Sequence, residues 1–173
     1  MEKLLDTGKV KSIGISNFSK KELETLLKSA KIAPSVHQIE THPYLQETSF
    51  LEFHKKNGIE VTAYSPLGNQ NDIYDAGKDV HALVEHEIIQ KVAKKHGVSG
   101  AQVAIAWGIK RGTTVIPKSV NQERIKSNFE ALKVIEQLDE EDVRSIAGMN
   151  GPHRFNNPSK SWGRKFFEDL EGV

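Results

Sequence analysis

Short β-branched runs alternate with amphipathic helical stretches along the sequence, and this alternation restricts the fold most. Strands are predicted at residues 11–16, 36–40, 59–65 and 113–117. Helices are predicted to begin near residues 19, 47, 84, 101, 121 and 139, and the one at 121 is expected to run to about residue 134. Ser19 and Ser99 each begin a capping box. A polar loop is predicted at residues 69–79, and the tail after residue 150 has no helical periodicity. Alternation of this kind favours parallel βαβ units in an α/β fold, either a doubly wound sheet or part of a (β/α)8 barrel.

One motif and the chain length separate these two architectures. A doubly wound dinucleotide domain usually carries GxGxxG after its first strand, and the sequence has no such motif. A complete barrel needs about 250 residues, whereas this chain has 173 residues and four convincing strands. The sequence therefore predicts a single domain over residues 1–173, a partial (β/α)8 TIM barrel with a polar tail at 150–173.

Charge and hydropathy exclude several other classes of protein. A formal net charge of +1 gives no electrostatic basis for binding nucleic acid or an anionic membrane. No apolar run reaches the roughly eighteen residues of a membrane span, and the N-terminal sequence does not resemble a signal peptide. The sequence has no cysteine, which excludes disulfides and thiolate chemistry. We therefore predict a soluble cytoplasmic protein with neither a nucleic-acid nor a membrane partner.

Four segments resemble motifs of the aldo-keto reductase family, in the family's order and spacing. They are residues 8–18 (GKVKSIGISNF), 37–44 (HQIETHPY), 63–68 (AYSPLG) and 116–120 (IPKSV), the last with Arg124 and Asn128 behind it. The resemblance implies that they surround barrel strands five to eight. It also implies that the helices near residues 84 and 101 are two extra helices outside the barrel, and that residues after 150 form a C-terminal loop.

The resemblance further implies an NADP(H) site at the carboxyl ends of the strands, where barrel enzymes build their sites. The implied contacts are Ser16, Asn17 and Gln38 for the nicotinamide carboxamide, Tyr64 for the nicotinamide ring, Ser65 and Leu67 for the pyrophosphate, Lys118, Ser119, Asn121 and Arg124 for the 2′-phosphate, and Asn128 for the adenine. Arginine, lysine and the first amides of a helix all suit a phosphate, so NADPH is expected in preference to NADH.

Each of these residues, taken alone, also has a purely structural interpretation. Ser16 and Asn17 would suit a turn, and Tyr64 would suit a core. Lys118 and Arg124 would suit a solvated surface. The joint order and spacing of the motifs favours the binding site. None of the seven histidines has a metal-ligand spacing, so no metal is expected.

The family's carbonyl reduction uses a tyrosine, a lysine, an aspartate and a histidine, which the resemblance implies precede this chain. Of the tyrosines, Tyr44, Tyr64 and Tyr74, none has the family's catalytic context. The chain is therefore expected to be N-terminally truncated, beginning inside the fourth barrel helix, with no catalytic residue of its own. The complete enzyme would reduce a small-molecule aldehyde or ketone with NADPH. The alternative is a non-catalytic nucleotide-binding or interaction module.

Two further expectations concern the tail and the edges of the sheet. Residues 154–158 (RFNNP), with Trp162, resemble the C-terminal loop of fungal and yeast-like sugar or glycerol reductases. Phe155 and Trp162 are therefore candidates for substrate contact, and an aromatic latch on the barrel exterior is the alternative. A half barrel leaves two open strand edges with unpaired backbone groups, so the chain is expected to be marginally stable alone, or to pair with the missing half or with another copy by self-association.

Overall fold

Four parallel strands form the only sheet in the described part of the chain, which in this computed structural model comprises residues 1–68, 80–149, 151 and 153–172. The strands are β1 (Gly14–Ser16), β2 (Val36–Glu40), β3 (Glu60–Tyr64) and β4 (Thr114–Val115), and they lie side by side in chain order. The predicted α/β class with a parallel sheet is confirmed. The same strand order holds between consecutive strands of a (β/α)8 barrel, and the assignment to strands five to eight stays a prediction.

Seven α-helices lie in the described residues: α1 (Lys20–Ser29), α2 (Thr48–Lys56), α3 (Glu87–His96), α4 (Gly100–Lys110), α5 (Gln122–Glu130), α6 (Glu140–Ala147) and α7 (Ser159–Trp162). Short 3-10 helices occupy Glu2–Thr7, Leu83–Glu85 and Ala131–Lys133. The predicted capping boxes at Ser19 and Ser99 are both present and begin α1 and α4. In each, the serine hydroxyl and the third helical residue satisfy backbone amides that the helix itself leaves unpaired.

Several element boundaries differ from the predicted ones. β1 begins at Gly14 rather than at residue 11, because the ladder with β2 begins where Gly14 pairs with Val36. β4 has two residues instead of five, since only these two pair with β3. The helix predicted over 121–134 ends at Glu130 and continues as a 3-10 turn. The tail, expected to lack helix, contains α7. The polar loop predicted at residues 69–79 lies outside the described residues.

Two apolar clusters hold the elements together. One packs α1 and α2 against β2 and β3 through Leu23, Ile39, Phe50 and Val61. The other joins α3, α4 and α6, and Trp107 of α4 is its largest fully buried side chain. At about 25 cal/mol per Å² of apolar surface, burial of this kind is the main stabilising contribution to such a fold. The first cluster packs helices onto the sheet, and the second packs helices α3, α4 and α6 against one another.

An apolar surface remains open beside β4. Ile125, Phe129 and Leu132 are 52%, 74% and 48% exposed, and they line a groove of about 510 Å³ with residues of α4 and β4. Within the described residues β1 and β4 each have one strand neighbour. The prediction of self-association assumed open strand edges of this kind. Self-association itself stays a prediction.

Candidate functional site

The strand register gathers polar residues at one edge of the sheet. Ser16 pairs with Gln38, Gln38 with Thr62, and Thr62 with Thr114. Because the four strands are parallel, their carboxyl ends emerge on the same side of the fold. Two predicted site residues end a strand at this side, Ser16 and Tyr64. Asn17, Ser65 and Lys118 follow strands there, and Gln38 lies two residues before the end of β2.

A first cavity, of about 550 Å³, opens beyond β1 and β3. The predicted residues Ser16, Asn17 and Tyr64 line it together with residues of the tail. Asn17 has a left-handed backbone (φ 57°), a conformation that asparagine tolerates better than most residues. Its N–H donates to the carbonyl oxygen of Gln38 at 3.0 Å, which ties the turn to β2. An exposed amide side chain at this position offers both donors and an acceptor to a polar ligand.

A buried chain of hydrogen bonds lies under the Asn17 turn. The N–H of Phe18 donates to His37 Nε2 (3.1 Å), His37 Nδ1 lies 2.7 Å from His54 Nε2, and His54 Nδ1 lies 2.6 Å from the carbonyl oxygen of Phe50. Because an amide only donates and a carbonyl only accepts, both imidazoles are neutral with their protons on Nδ1. Burial, helped by His54, lowers the pKa of His37 to about 3. These hydrogen bonds connect the turn after β1 to α2.

A second cavity, of about 800 Å³, lies between the end of β3 and the start of α5. Its lining includes six of the predicted residues: Ser65, Leu67, Lys118, Ser119, Arg124 and Asn128. Ser65 has a left-handed backbone (φ 48°), which is uncommon for serine. Strained backbone of this kind persists where the surrounding structure over-determines it, and it concentrates at binding sites. The two cavities flank consecutive residues of one strand end, since Tyr64 lines the first and Ser65 the second.

The start of α5 gives the second cavity its positive charge. Lys118 and Arg124 are both exposed, and in the described residues neither side chain has an assigned acidic partner. Asn121 caps the helix by accepting the Arg124 N–H at its side-chain oxygen (2.9 Å), and its own N–H donates to Ser119 Oγ (3.1 Å). Two cations beside a helix N-terminus suit an anionic ligand by their charge.

Two predicted residues are placed differently from the rest. Gln38 and Asn121 lie outside the lining of both cavities as the described residues form them. Gln38 is half-buried in the centre of the ladder, and its carbonyl oxygen fixes Asn17. The Asn121 side chain is engaged with the helix end. Gln38 thus acts through its backbone carbonyl oxygen and Asn121 through its side-chain cap, and direct ligand contacts by either side chain stay predictions.

The two tail residues predicted to contact substrate lie in different environments. Trp162 lines the first cavity and is 69% exposed. Phe155 is 2% exposed and belongs to the core cluster, where its ring stacks on His42 with centroids 5.2 Å apart. Phe155 is thus a core residue and Trp162 lines the cavity, and a substrate contact by either residue stays a prediction.

Sequence reasoning missed three polar residues that build this region. Asn156 lines the first cavity, and its side-chain amide lies 3.3 Å from Ser65 Oγ. Glu40 and Glu47, at the carboxyl end of β2 and just before α2, are buried carboxylates that contact the tail. An acidic residue with low exposure gives no periodic signal, so no pattern in the sequence marks Glu40 or Glu47 as buried.

The described residues are 1–68, 80–149, 151 and 153–172. Within these ranges, no group of three or more histidine, cysteine, aspartate or glutamate side chains is arranged to hold a metal ion. No helix formed by these residues has the length and apolar character that crossing a membrane requires.

The fold and the two cavities place the chain among α/β proteins with a parallel sheet and ligand-sized cavities at the carboxyl ends of the strands. More specifically, the chain belongs to the aldo/keto reductase family, whose sequence profile matches residues 1–150. This confirms the family resemblance of the four sequence motifs.

Individual relatives support the same membership. The chain is 54% identical over 163 residues to an uncharacterized oxidoreductase of Schizosaccharomyces pombe, covering 93% of this chain and 49% of that protein. It is 44% identical over 162 residues to the NADPH-dependent D-xylose reductase of Meyerozyma guilliermondii, covering 91% and 50%. The crystal structure of an aldose reductase from Giardia lamblia matches with a TM-score of 0.85 at 38% identity, covering 97% and 54%. The chain thus spans about half the length of the curated relatives that it matches.

Proposed function

We propose that the complete protein reduces an aldehyde or ketone to an alcohol with NADPH, and that this chain supplies its cofactor-binding half. One observation carries the proposal: a single strand end joins a cavity with a polar and aromatic lining to a cavity with two cations at a helix N-terminus. A dinucleotide phosphate has the matching order of parts, a flat amide-bearing ring at one end and a phosphorylated nucleoside at the other. The relative named as an NADPH-dependent D-xylose reductase supports the same activity.

The residues present fit this cofactor by their chemistry. At the first cavity, Asn17 and Ser16 offer hydrogen-bonding groups for a carboxamide, and Tyr64 offers a ring for stacking. At the second, Lys118 and Arg124 suit a 2′-phosphate, which NADPH has and NADH lacks. The cofactor would supply the hydride. The protein residues would fix the position of the ring and exclude water from its reactive face.

The proton donor of the reduction is proposed to lie outside the described residues of this chain. Tyr44 is 4% exposed and its hydroxyl donates to the carbonyl oxygen of His81 at 3.1 Å. Burial raises the pKa of Tyr44, so it is a poor acid. Tyr64 is at the position proposed for ring stacking, and Tyr74 is outside the described residues. Accordingly, no catalytic residue is assigned to the chain.

The state of Tyr44 also favours a second candidate function, a nucleotide-binding module without turnover. An assay of NADPH oxidation with a generic aldehyde separates the two functions for the chain itself. Turnover by the purified chain would contradict both the module and the absence of a proton donor from this half. Binding without turnover agrees with either function for the isolated chain. Turnover after addition of a separately produced amino-terminal half of a family member would then favour the enzyme.

The open edges of β1 and β4 are proposed to pair with further strands, either those of the same barrel or those of a second copy. Analytical ultracentrifugation of the chain at several concentrations tests the second copy. A dimer that dissociates after Phe129→Glu would place the contact at the apolar groove beside β4.

The primary test of the proposed function is the affinity for NADP⁺ compared with NAD⁺, measured by quenching of the chain's tryptophan fluorescence. The proposal predicts tighter binding of NADP⁺, because only NADP⁺ carries the phosphate that the two cations face. Equal affinities would contradict the assignment of the second cavity.

A further inference from the structure

The tail forms the outer wall of the first cavity. Residues after 155 supply more than half of the cavity lining, and β1, the turn after it, α1 and β3 supply the rest. The tail residues in the lining are Asn156, Pro158, Trp162, Arg164, Phe166 and Phe167. Of these, Trp162 and Arg164 are well exposed. The far end of the tail is held separately, because Asp169 Oδ2 accepts a backbone N–H of α1 (2.7 Å) and Glu171 Oε2 accepts the Glu47 N–H (3.0 Å). The position of the near end of the wall therefore depends on how the chain is held where the tail begins.

One buried carboxylate holds the beginning of the tail. Glu40, the last residue of β2, has no solvent exposure. Its Oε1 accepts hydrogen bonds from the Phe155 N–H (2.9 Å) and from His42 Nε2 (3.2 Å), and its Oε2 accepts one from the Asn156 N–H (3.0 Å). Two successive backbone amides thus converge on one side chain, immediately before the chain enters the cavity wall. Hydrogen bonds to an ionised acceptor are roughly twice as strong as those between neutral groups.

A second buried acid contacts the tail one residue earlier and provides a comparison. Glu47 accepts a hydrogen bond from Arg154, and both side chains are 2% exposed. Burial outweighs the attraction of Arg154 and, with the charge of Glu171 nearby, raises the pKa of Glu47 to about 7. Burial acts on Glu40 in the same direction, but the hydrogen bonds from His42, Asn156 and Phe155 outweigh it, so the pKa of Glu40 is lowered. Glu40 therefore faces three N–H donors, whereas Glu47 faces one guanidinium, which also donates to the carbonyl oxygen of Glu171.

We propose that Glu40 is a positioning residue whose carboxylate fixes the tail as the outer wall of the first cavity. The anchoring itself does not depend on which ligand the cavity takes, and its consequence for a nicotinamide or a carbonyl substrate rests on the proposed function. The geometry requires an acceptor at both oxygen atoms, because backbone amides and an imidazole N–H approach from three sides. A carboxylate meets that requirement, and a side-chain amide replaces one acceptor by a donor.

Two substitutions of the same chemistry test this proposal. Glu40→Gln places an NH2 group against a backbone N–H, so the tail should detach locally. Glu47→Gln keeps an oxygen that accepts from Arg154, so the tail should stay in place. Hydrogen–deuterium exchange of residues 154–158, measured on the full 173-residue chain, should accelerate by about tenfold or more in the first variant and by less than about threefold in the second. Amides of α3 and α4 serve as the internal reference and should be unchanged in both.

Further measurements separate positioning from general loss of structure. Adenosine 2′,5′-bisphosphate, a probe for the second cavity, should bind the Glu40→Gln variant within about twofold of the original chain. Glu40→Asp keeps the charge but shortens its reach, and it should give the same selective acceleration to a smaller extent. Should Glu40→Gln prevent folding, the Asp variant decides the question by the same criterion. If the original chain fails to bind the nucleotide, the proposed function is contradicted, but exchange still tests the anchor.

Three results would overturn the proposal. The first is an exchange rate in the tail of Glu40→Gln that equals that of the original chain. The second is equal acceleration in Glu40→Gln and Glu47→Gln, which would mean that any change of buried charge loosens the tail. The third is acceleration spread evenly over the tail and α4, which would assign Glu40 a role in global stability alone.

Discussion

The two cavities at the carboxyl ends of the strands are built in different ways. The first rests on buried polar groups: the His37–His54 chain lies under Asn17, and Glu40 holds the tail that closes it. The second presents exposed cations, Lys118 and Arg124, on a helix end that its own cap residue stabilises. A buried network fixes geometry and tolerates few changes, whereas an exposed charge adds affinity with little effect on folding. Substitutions should therefore affect stability at the first cavity and affinity at the second.

The largest effect is expected at His37. Replacing it with alanine leaves the Phe18 N–H and His54 Nε2 without partners and creates a cavity, so the free energy of unfolding should fall by about 3–4 kcal/mol. Chemical denaturation measures the loss. His81→Ala, a change at an exposed histidine, should cost less than about 0.5 kcal/mol. A loss below about 1 kcal/mol at His37 would show that the buried chain is not a structural support of the first cavity.

The second prediction concerns pH. The pKa of His37 is about 3 in the folded chain and has its ordinary value of 6.5 in the unfolded chain. Below pH 6.5 the unfolded chain binds a proton that the folded chain does not bind, so the stability from this residue is complete above pH 6.5. It is lost as pH falls from 6.5 to about 3, by about 1.4 kcal/mol per pH unit.

Comparison with His37→Gln isolates this contribution from that of other groups, such as Glu40, whose lowered pKa adds to acid sensitivity. Unfolding by urea at several pH values should show a steeper acid loss in the original chain than in the variant. Parallel curves for the two chains would mean that His37 titrates normally and is not a buried neutral partner of His54.

The third prediction tests the second cavity. Arg124→Ala should weaken NADP⁺ binding by roughly 10- to 100-fold, as expected for the loss of a charged hydrogen bond to phosphate. NAD⁺ binding should change by less than about twofold, and the free energy of unfolding should change little because the side chain is exposed. Fluorescence titration with both dinucleotides gives the comparison. Arg144→Ala, at an exposed pair on α6, is the matched control, and an equal loss for both dinucleotides would contradict the 2′-phosphate assignment.

The smallest effect is expected at Asn121. Alanine there removes the N-cap of α5 and should cost about 1 kcal/mol of stability. Binding of NADP⁺ should weaken only as far as the helix start frays. Thermal unfolding with and without the nucleotide separates the two effects. A loss of affinity as large as that of Arg124→Ala would show that the Asn121 side chain contacts the phosphate directly, as the family resemblance implies.

Local patterns predicted most of the elements. The capping signals at Ser19 and Ser99 fixed two helix starts because they act within one turn. Strand ends were less accurate, since the extent of β1 and β4 depends on a partner that is distant in sequence. α7 was missed because four residues are too few to show a helical period.

Family motifs predicted the residues that line the two cavities better than physical patterns did. Considered one at a time, Asn17, Tyr64 and Arg124 each have an ordinary structural interpretation. In the structure each of them lines a cavity. The anchoring residues had no such signal. Glu40 contacts amides 115 and 116 residues away, and the partner of Glu47 is 107 residues away. The burial of Phe155 likewise follows from where the tail returns to the fold, which no local pattern encodes.

The central claim is that the two cavities are the two ends of one dinucleotide site, and nuclear magnetic resonance of the ¹⁵N-labelled chain tests it most directly. Titration with NADP⁺ should shift the amide signals of Asn17 and Arg124 together, with one dissociation constant, while adenosine 2′,5′-bisphosphate should shift that of Arg124 alone. Shifts by NADP⁺ at only one of these residues, or two different dissociation constants, would contradict the account.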